Sequence, residues 1–264
     1  MVKIVALAVS VLLVSLGHEI SAGLNCVTRW SKLSHTRDDA QARVTCQGNE
    51  KMTGCSSYQP GPGGHGTRDG EFIHVSSTGR VSCAARNGKE GTGVRAYARC
   101  CTADGLTCGY ADGARSGRQY NDSSTVSFST SDDSTFMTGC SASTFWRNLN
   151  GASPNPINAS IEVDTRNGQC VALNGRGGLG VYAHGVYCSA PNLTCKTKWS
   201  EKSQGGVGAV ATVTCEEEWT LTGCNAYTPY KENDGSYVLS CGDCVAVNGG
   251  NEQYIYAIAI CCRT

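Results

Sequence analysis

The sequence has few of the residues and motifs from which catalytic and metal sites are usually built. Histidine occurs only 5 times in 264 residues, without a His-Glu-x-x-His or other paired spacing, so no zinc site is expected. No Gly-x-Ser-x-Gly nucleophile elbow is present, although a Ser/His/Asp set drawn from distant positions stays open. The formal net charge is zero, which does not suggest nucleic-acid binding. We expect no cofactor, no metal and no enzymatic activity.

Long apolar runs are equally scarce. The longest, residues 4–16, follows Lys3 and precedes a polar stretch ending in Ala22, which is the pattern of a secretory signal peptide. It is shorter than the roughly 18 apolar residues that a membrane helix needs. The sequence therefore predicts that residues 1–22 are a signal peptide, that the mature chain is secreted and extracellular, and that it has no membrane span.

Cysteine, by contrast, is abundant, with 17 residues in a chain of which only 17% is charged. Together with the signal peptide, this usage indicates an oxidising compartment in which the thiols are paired as disulfides. N-glycosylation belongs to the same compartment, and three sequons provide candidate acceptors. These acceptors are Asn121, Asn158 and Asn192.

The cysteine spacing divides the chain into three copies of one module. The first and second cysteines are 20 residues apart in the outer copies, and the fifth position follows the fourth by 17 residues in all three. Cys-x-Ala-x-Asn-Gly begins at each fourth cysteine, and a Thr-Gly-Cys segment, interpreted as a repeated turn, ends at each third one. Such self-similarity is the signature of tandem repeats. The predicted modules are residues 23–102, 103–190 and 191–264.

The middle module lacks two of the six cysteines. Its second and fifth positions hold Phe128 and Tyr187. Because the loss of one cysteine would leave its partner unpaired, the joint loss indicates that these two positions form a disulfide in the other modules. We expect the two aromatic side chains to pack against each other in place of that bridge.

Nesting the remaining cysteines pairs the first with the sixth and the third with the fourth, although spacing alone does not determine connectivity. The expected bridges are Cys26–Cys101, Cys46–Cys100, Cys55–Cys83, Cys108–Cys188, Cys140–Cys170, Cys195–Cys262, Cys215–Cys261 and Cys224–Cys244. Cys241 is left over. It is interpreted either as the source of an intermolecular bridge, and hence of a disulfide-linked dimer, or as a buried or capped thiol. An exchange in which Cys241 replaces Cys244 also stays open.

Local patterns are those of short strands. Residues 207–214 and 254–260 are rich in β-branched or aromatic side chains, residues 95–99 alternate, and glycine-rich stretches between such runs indicate turns. Each module is predicted to be a small all-β sandwich, stapled by disulfides because a unit of this size buries little core. Only six residues separate the last cysteine of one module from the first of the next, so the modules should pack in a fixed arrangement.

The first module is the basic one, with 11 Lys/Arg against 6 Asp/Glu, while the second and third are slightly acidic. This excess could attract a sulfated glycan or an acidic protein. The alternative, slightly preferred, is that a positive first module docks on its negative neighbours. The candidate contacts with a polyanion are Arg29, Lys32, Arg37, Arg43, Arg86, Lys89, Arg95 and Arg99.

Two stretches of the third module carry a resemblance to a known family. Residues 215–224 read Cys-Glu-Glu-Glu-Trp-Thr-Leu-Thr-Gly-Cys, and residues 257–263 read Ala-Ile-Ala-Ile-Cys-Cys-Arg. With the cysteine pattern, the mature chain resembles the Cys- and His-rich C-terminal domain of the ninth proprotein convertase of the subtilisin/kexin family, here expected to stand alone without a protease domain. The resemblance implies three resistin-like β-sandwich modules around a pseudo-threefold axis, the nested bridges, and a non-catalytic role in protein interaction.

Taken together, these features predict a secreted non-catalytic binding protein that presents a rigid three-module surface to an extracellular protein or a glycan. The segments between the third and fourth cysteines differ most in length among the modules and are expected to form the contact surface. The main alternative is a structural component of an extracellular matrix or secretion, cross-linked through Cys241. An enzyme is the weakest of the three classes.

Overall fold

The computed structural model describes residues 23–61, 68–127, 134–144, 149–154 (backbone only), 165–166, 168–175, 177–229, 233–251 and 253–264. These residues form eighteen strands and no helix, which confirms the all-β prediction. The described residues therefore contain no helix that could cross a membrane.

Each of the three modules predicted from the cysteine spacing holds six of these strands. Module 1 (residues 23–102) contains β1 (Asn25–Trp30), β2 (Gln41–Val44), β3 (Lys51–Tyr58), β4 (Arg68–Val75), β5 (Val81–Asn87) and β6 (Arg95–Thr102). Module 2 (residues 103–190) contains β7 (Thr107–Asp112), β8 (Ser123–Ser127), β9 (Thr135–Thr144), β10 (Leu149–Pro154), β11 (Gln169–Asn174) and β12 (Val181–Ser189). Module 3 (residues 191–264) contains β13 (Thr194–Trp199), β14 (Val210–Val213), β15 (Thr220–Tyr227), β16 (Asn233–Val238), β17 (Cys244–Asn248) and β18 (Tyr256–Arg263).

Every module is a sandwich of two three-stranded antiparallel layers. In module 1, β1, β6 and β3 form one layer and β2, β5 and β4 form the other. Side chains alternate along β6, so that Ala96 and Ala98 are buried between the layers while Arg95 and Tyr97 lie on the outer face. The small inner side chains let the two layers approach closely.

The layers of neighbouring modules join edge to edge into three six-stranded sheets. The 1–3 sheet has the order β1-β6-β3-β16-β17-β14, the 2–3 sheet β13-β18-β15-β10-β11-β8, and the 1–2 sheet β2-β5-β4-β9-β12-β7. At each junction one edge strand pairs with an edge strand of the next module. The paired residues are Tyr58 and Gly235 between β3 and β16, Tyr227 and Gly151 between β15 and β10, and Ser143 and Gly70 between β9 and β4. Because each module shares one sheet with each of the other two, the ring closes, which confirms the pseudo-threefold arrangement.

The Thr-Gly-Cys segments lie at the centre of this ring. Thr53 Oγ1 donates a hydrogen bond to Thr222 O (3.0 Å), Thr138 Oγ1 donates to Thr53 O (3.0 Å), and Thr222 Oγ1 donates to Thr138 O (3.1 Å). The glycines let the three backbones meet, since a Cβ on Gly54 would lie 2.4 Å from Thr222 O. The interpretation of these segments as turns was wrong, because they lie inside β3, β9 and β15.

The structure contains eight disulfides, in the same pairs that the sequence predicts. They join Cys26–Cys101, Cys46–Cys100, Cys55–Cys83, Cys108–Cys188, Cys140–Cys170, Cys195–Cys262, Cys215–Cys261 and Cys224–Cys244. In the outer modules two bridges connect the layers and one ties two neighbouring strands. Cys241 is unpaired and exposed, and Cys244 is the partner of Cys224.

In module 2 a tyrosine stands where a bridge joins the layers of the other modules. Tyr187 is 2% exposed, and its hydroxyl donates a hydrogen bond of 3.0 Å to Val126 O in the opposite layer. The ring needs room, because a Cβ on Gly185 would lie 2.5 Å from it, whereas the other modules have Ala98 and Ala259 at that position. Phe128 lies outside the described residues.

Candidate binding groove between modules 1 and 3

Large apolar side chains are exposed chiefly along the 1–3 sheet. Eight such side chains are exposed in the described part of the chain, and six of them lie in or beside its strands. These six are Val27, Trp30, Leu33, Val207, Val210 and Leu239. Val27, Trp30 and Leu239 line one groove, whereas Val207 and Val210 lie at the opposite edge of the sheet, at β14.

A groove of about 490 Å³ runs across this sheet where modules 1 and 3 meet. Its lining residues come from β1, β6, the end of β16 and the turn that follows: Cys26, Val27, Thr28, Trp30, Arg95, Tyr97, Arg99, Tyr237, Val238, Leu239 and Ser240. Trp30, 62% exposed, lies on the module 1 side, and Leu239 lies on the module 3 side. We call this feature the 1–3 groove.

Tyrosine rings from both modules pack beside the groove. The ring of Tyr237 from module 3 lies 4.9 Å from that of Tyr58 and 6.1 Å from that of Tyr97, both in module 1. Burial raises the pKa of Tyr58 and of Tyr97 above the ordinary tyrosine value. The hydroxyls of these two residues are therefore neutral at physiological pH.

Two arginines give the groove a positive charge. Arg99 Nε donates a hydrogen bond of 2.7 Å to Leu221 O of module 3, and its Nη1 donates one of 2.9 Å to Thr28 Oγ1. Burial lowers the pKa of Arg99 to about 10, so this side chain stays charged at neutral pH. Arg95 Nε is buried without a hydrogen-bond partner among the described residues. Since none of the described residues that line the groove is Asp or Glu, its charge favours an anionic group.

A second cavity, of about 270 Å³, lies on the other side of β1. It is lined by Thr28, Arg29, Trp30, Val44, Thr45 and Gln47. Arg29 donates hydrogen bonds to Glu50 at 2.7 Å and 2.5 Å, which hold the pKa of Glu50 below its ordinary value. The cavity is therefore polar with its one cation already paired, in contrast to the 1–3 groove.

Comparison with known proteins places the chain in a family. Models of the proprotein convertase subtilisin-like/kexin type 9 C-terminal domain match residues 18–105 and residues 189–264. The chain is 33% identical over 255 residues to proprotein convertase subtilisin/kexin type 9 of Rattus norvegicus, across 93% of this chain and 34% of that protein. The protein of Mus musculus is 31% identical over 255 residues, with 94% and 34% covered. The chain belongs to this C-terminal-domain family. It spans about a third of the length of the curated relatives it matches.

In this member of the family, the eight basic residues considered from the sequence do not form one patch. Arg95 and Arg99 line the 1–3 groove, whereas Arg43 and Arg86 belong to the 1–2 sheet on the opposite layer of module 1. Lys32, Arg37 and Lys89 are exposed in loops, and Arg29 is paired with Glu50. Arg86 lies over the ring of Phe72, 5.4 Å from its centroid, and 3.8 Å from Asp39.

Sequence reasoning missed Arg68, which ties modules 1 and 3 together. It is 2% exposed, and its Nη1 lies 2.6 Å from Glu71 Oε2 and 2.8 Å from Ser57 Oγ. Its Nη2 donates a hydrogen bond to Asn233 Oδ1 of module 3. Arg99 and Arg68 thus reach neutral oxygens of module 3 rather than carboxylates, so the idea of a positive module docking on negative neighbours does not describe these contacts. The only sequence signal was an (Asp/Asn)-Gly pair repeated at each junction strand.

A Ser/His/Asp relay does assemble at the junction of modules 1 and 2. His184 Nδ1 lies 2.6 Å from Asp112 Oδ1, and its Nε2 lies 2.8 Å from Ser143 Oγ. A nucleophile has to meet its substrate, but Ser143 is 8% and His184 6% exposed, with the Phe72 ring of module 1 6.3 Å from the imidazole. These contacts describe a polar tie between β7, β9 and β12.

The remaining predicted sites that the structure describes lie on the surface of this family member. Cys241 is exposed in the turn after β16, two residues beyond the groove residue Leu239, and its Sγ lies 3.2 Å from Asp243 Oδ2. Of the predicted glycosylation acceptors, Asn121 and Asn192 are exposed in turns, while Asn158 lies outside the described residues.

The segments between third and fourth cysteines, which are expected to form the contact surface, are described only in part. Their described parts contain β4, β10 and β16, the strands that form the three module junctions. In module 1, residues 68–71 of β4 are buried. Of these segments it is the end of β16 and the following turn that contributes to the 1–3 groove.

Proposed function

We propose that this chain is a secreted, non-catalytic binding protein that presents the 1–3 groove to an extracellular protein partner. The observation that carries the proposal is the groove itself, in which exposed apolar side chains adjoin two arginines and none of the described lining residues is acidic. Apolar anchors such as Trp30 beside arginine are the composition of binding hot spots. The matched family models describe a C-terminal domain and not the protease domain, which supports a role without catalysis.

A protein partner fits this surface better than a sulfated glycan does. Binding a polyanion along its length needs a continuous basic face, and the basic side chains of module 1 lie on opposite layers of the sandwich. A matrix role through Cys241 is the second candidate, because this thiol is exposed while the other sixteen cysteines are paired.

The proposal is tested by site-specific photo-crosslinking in the extracellular fluid of the source organism. A photoreactive phenylalanine analogue replaces Leu239 at the groove or, as the control, Val75, which is 52% exposed on the 1–2 sheet. We expect one adduct from position 239, none from position 75, and loss of the adduct when Trp30→Ala and Arg95→Gln are added. An adduct that forms equally at both positions, or that survives the added substitutions, would contradict the proposed site.

A further inference from the structure

The first strand of the 1–3 sheet has an open edge along the groove. β1 pairs with β6 and with no other described strand. The Cα atoms of Cys26 and Cys101, opposite each other in this pair, are 4.0 Å apart, a separation typical of a non-hydrogen-bonded position. Along an antiparallel strand these positions alternate, so Cys26, Thr28 and Trp30 direct their backbone N–H and C=O groups away from β6. No loop or turn hydrogen bond of the described chain uses them.

Both faces of this open edge have room for side chains. The 1–3 groove lies on one face and the smaller cavity on the other, and Thr28 and Trp30 line both. Successive side chains of a strand point to opposite faces. A strand laid along β1, on the side away from β6, would place one set of its side chains beside Thr28 and Trp30 at the rim of the groove and the alternate set toward the cavity, while its backbone pairs with the three open positions.

The charges of the two faces define the occupant. The groove offers Arg95 and Arg99 beside Trp30, and its described lining holds no carboxylate, so it suits an acidic side chain next to an apolar one. The opposite cavity suits small polar side chains, since its arginine is already paired with Glu50. A second copy of β1 does not satisfy these requirements, because its sequence, Asn-Cys-Val-Thr-Arg-Trp, contains a cation and no anion.

We propose that the β1 edge receives an extended acidic–apolar segment of an extracellular protein by β-strand addition. Backbone hydrogen bonds to Cys26, Thr28 and Trp30 supply affinity, and the acidic side chain facing Arg95 supplies specificity. This inference rests on the proposed function and specifies the partner of the same groove.

The test begins with a random octapeptide display library selected on the disulfide-bonded protein. Enriched peptides are synthesised, labelled and titrated by fluorescence polarisation. Each is compared with two N-methylated versions of the same sequence, which carry the methyl groups at every second residue and differ in register by one residue. We expect Asp or Glu and an apolar residue two positions apart, with small polar residues between them, and loss of binding in the one N-methylated register that removes the donors facing β1. Arg95→Gln should weaken binding about tenfold or more, because a charge-assisted hydrogen bond is lost, while the control Val75→Ala leaves it unchanged.

Three outcomes overturn the inference. Equal affinity of the parent and both N-methylated peptides means that no backbone pairing occurs, and a selection without groove-dependent peptides means that the edge does not take a strand. A dimer in analytical ultracentrifugation that the selected peptides dissociate means that a second copy covers the edge. The crosslink at position 239 is independent of all three, so failure of strand addition is distinguishable from failure of the proposed function.

Discussion

The threonine ring at the pseudo-threefold axis gives the sharpest test of how the modules are held together. Thr53, Thr138 and Thr222 are each at most 1% exposed, and each hydroxyl donates to the backbone carbonyl of the threonine in another module. Replacement by valine keeps the β-branched shape and removes only the donor. Thr138→Val therefore leaves Thr53 O without its partner from module 2 while the fold of each module is kept.

The expected cost follows from burial at the axis. A buried carbonyl that loses its donor costs about 1–2 kcal/mol. If the three modules unfold as one unit of more than 200 residues, this cost lowers the midpoint of thermal unfolding by about 2–8 °C. Because the ring is symmetric, Thr53→Val, Thr138→Val and Thr222→Val should lower it by similar amounts.

Differential scanning calorimetry of the oxidised, deglycosylated protein measures this effect. The control is Thr78→Val, on an exposed turn of module 1, which should leave the midpoint unchanged. We expect one transition that shifts as a whole in each axial variant. Unchanged midpoints in all three variants would refute a stabilising ring, and a shift confined to one of several transitions would show that the modules unfold separately.

Three further predictions concern single sites. Gly185→Ala should destabilise the protein by about 1–3 kcal/mol, because its Cβ would lie 2.5 Å from the Tyr187 ring; an unchanged thermal midpoint would contradict this. The Arg29 hydrogen bond lowers the pKa of Glu50, so the stability it contributes is present above the ordinary value of 4.5 and is lost as pH falls through the lower folded value. Glu50→Gln should therefore flatten the acid limb of a urea-unfolding series. Cys241→Ser should leave all eight disulfides in non-reducing peptide maps and abolish any linked dimer; a wild-type bridge from Cys241 to another cysteine of the same chain would count against the structure.

The fold could be predicted from the cysteines because covalent pairs constrain distant positions. Six-cysteine spacing repeated three times requires three equivalent units, and short linkers require that they pack. The joint absence of two cysteines in module 2 identified a pair without any knowledge of the structure. The accommodating change at Gly185 was not recognised, because a glycine gives no sign in the sequence that its missing Cβ makes room for the ring of Tyr187.

The Thr-Gly segments were misread for a related reason. Glycine suggests a turn when only neighbours in sequence are considered. At Gly54, Gly139 and Gly223 the missing Cβ instead admits the backbone of another module, with Cβ-to-oxygen separations of 2.4 Å or 2.5 Å. Such a role depends on a partner more than eighty residues away. It can be read only after the threefold arrangement is known.

The site was predicted less well than the fold because charge counts carry no information about faces. Module 1 is basic as a whole, yet its arginines divide between the two layers of a sandwich. One of them, Arg68, is buried at the junction with module 3 and is paired with Glu71. Arg95, Arg99 and Trp30 come together because alternate side chains of β1 and β6 point to the same face of the sheet. Module 3 completes the groove with the turn after β16. Neither relation is visible in composition.

The three junctions have the same backbone pairing but different side chains on the outer face, which explains why one of them forms the groove. At one repeated cross-strand pair, module 1 has Trp30 opposite Tyr97, module 2 has Asp112 opposite His184, and module 3 has Trp199 opposite Ile258. The axial threonines and the disulfides hold the backbone in each case, so the outer face of each junction can differ without loss of the fold. In module 2 the His184 side chain also hydrogen-bonds Ser143, and in module 3 the Trp199 ring packs against the rings of Tyr227 and Tyr256. In module 1 Trp30 stays exposed, and together with Arg95 and Arg99 it lines the 1–3 groove.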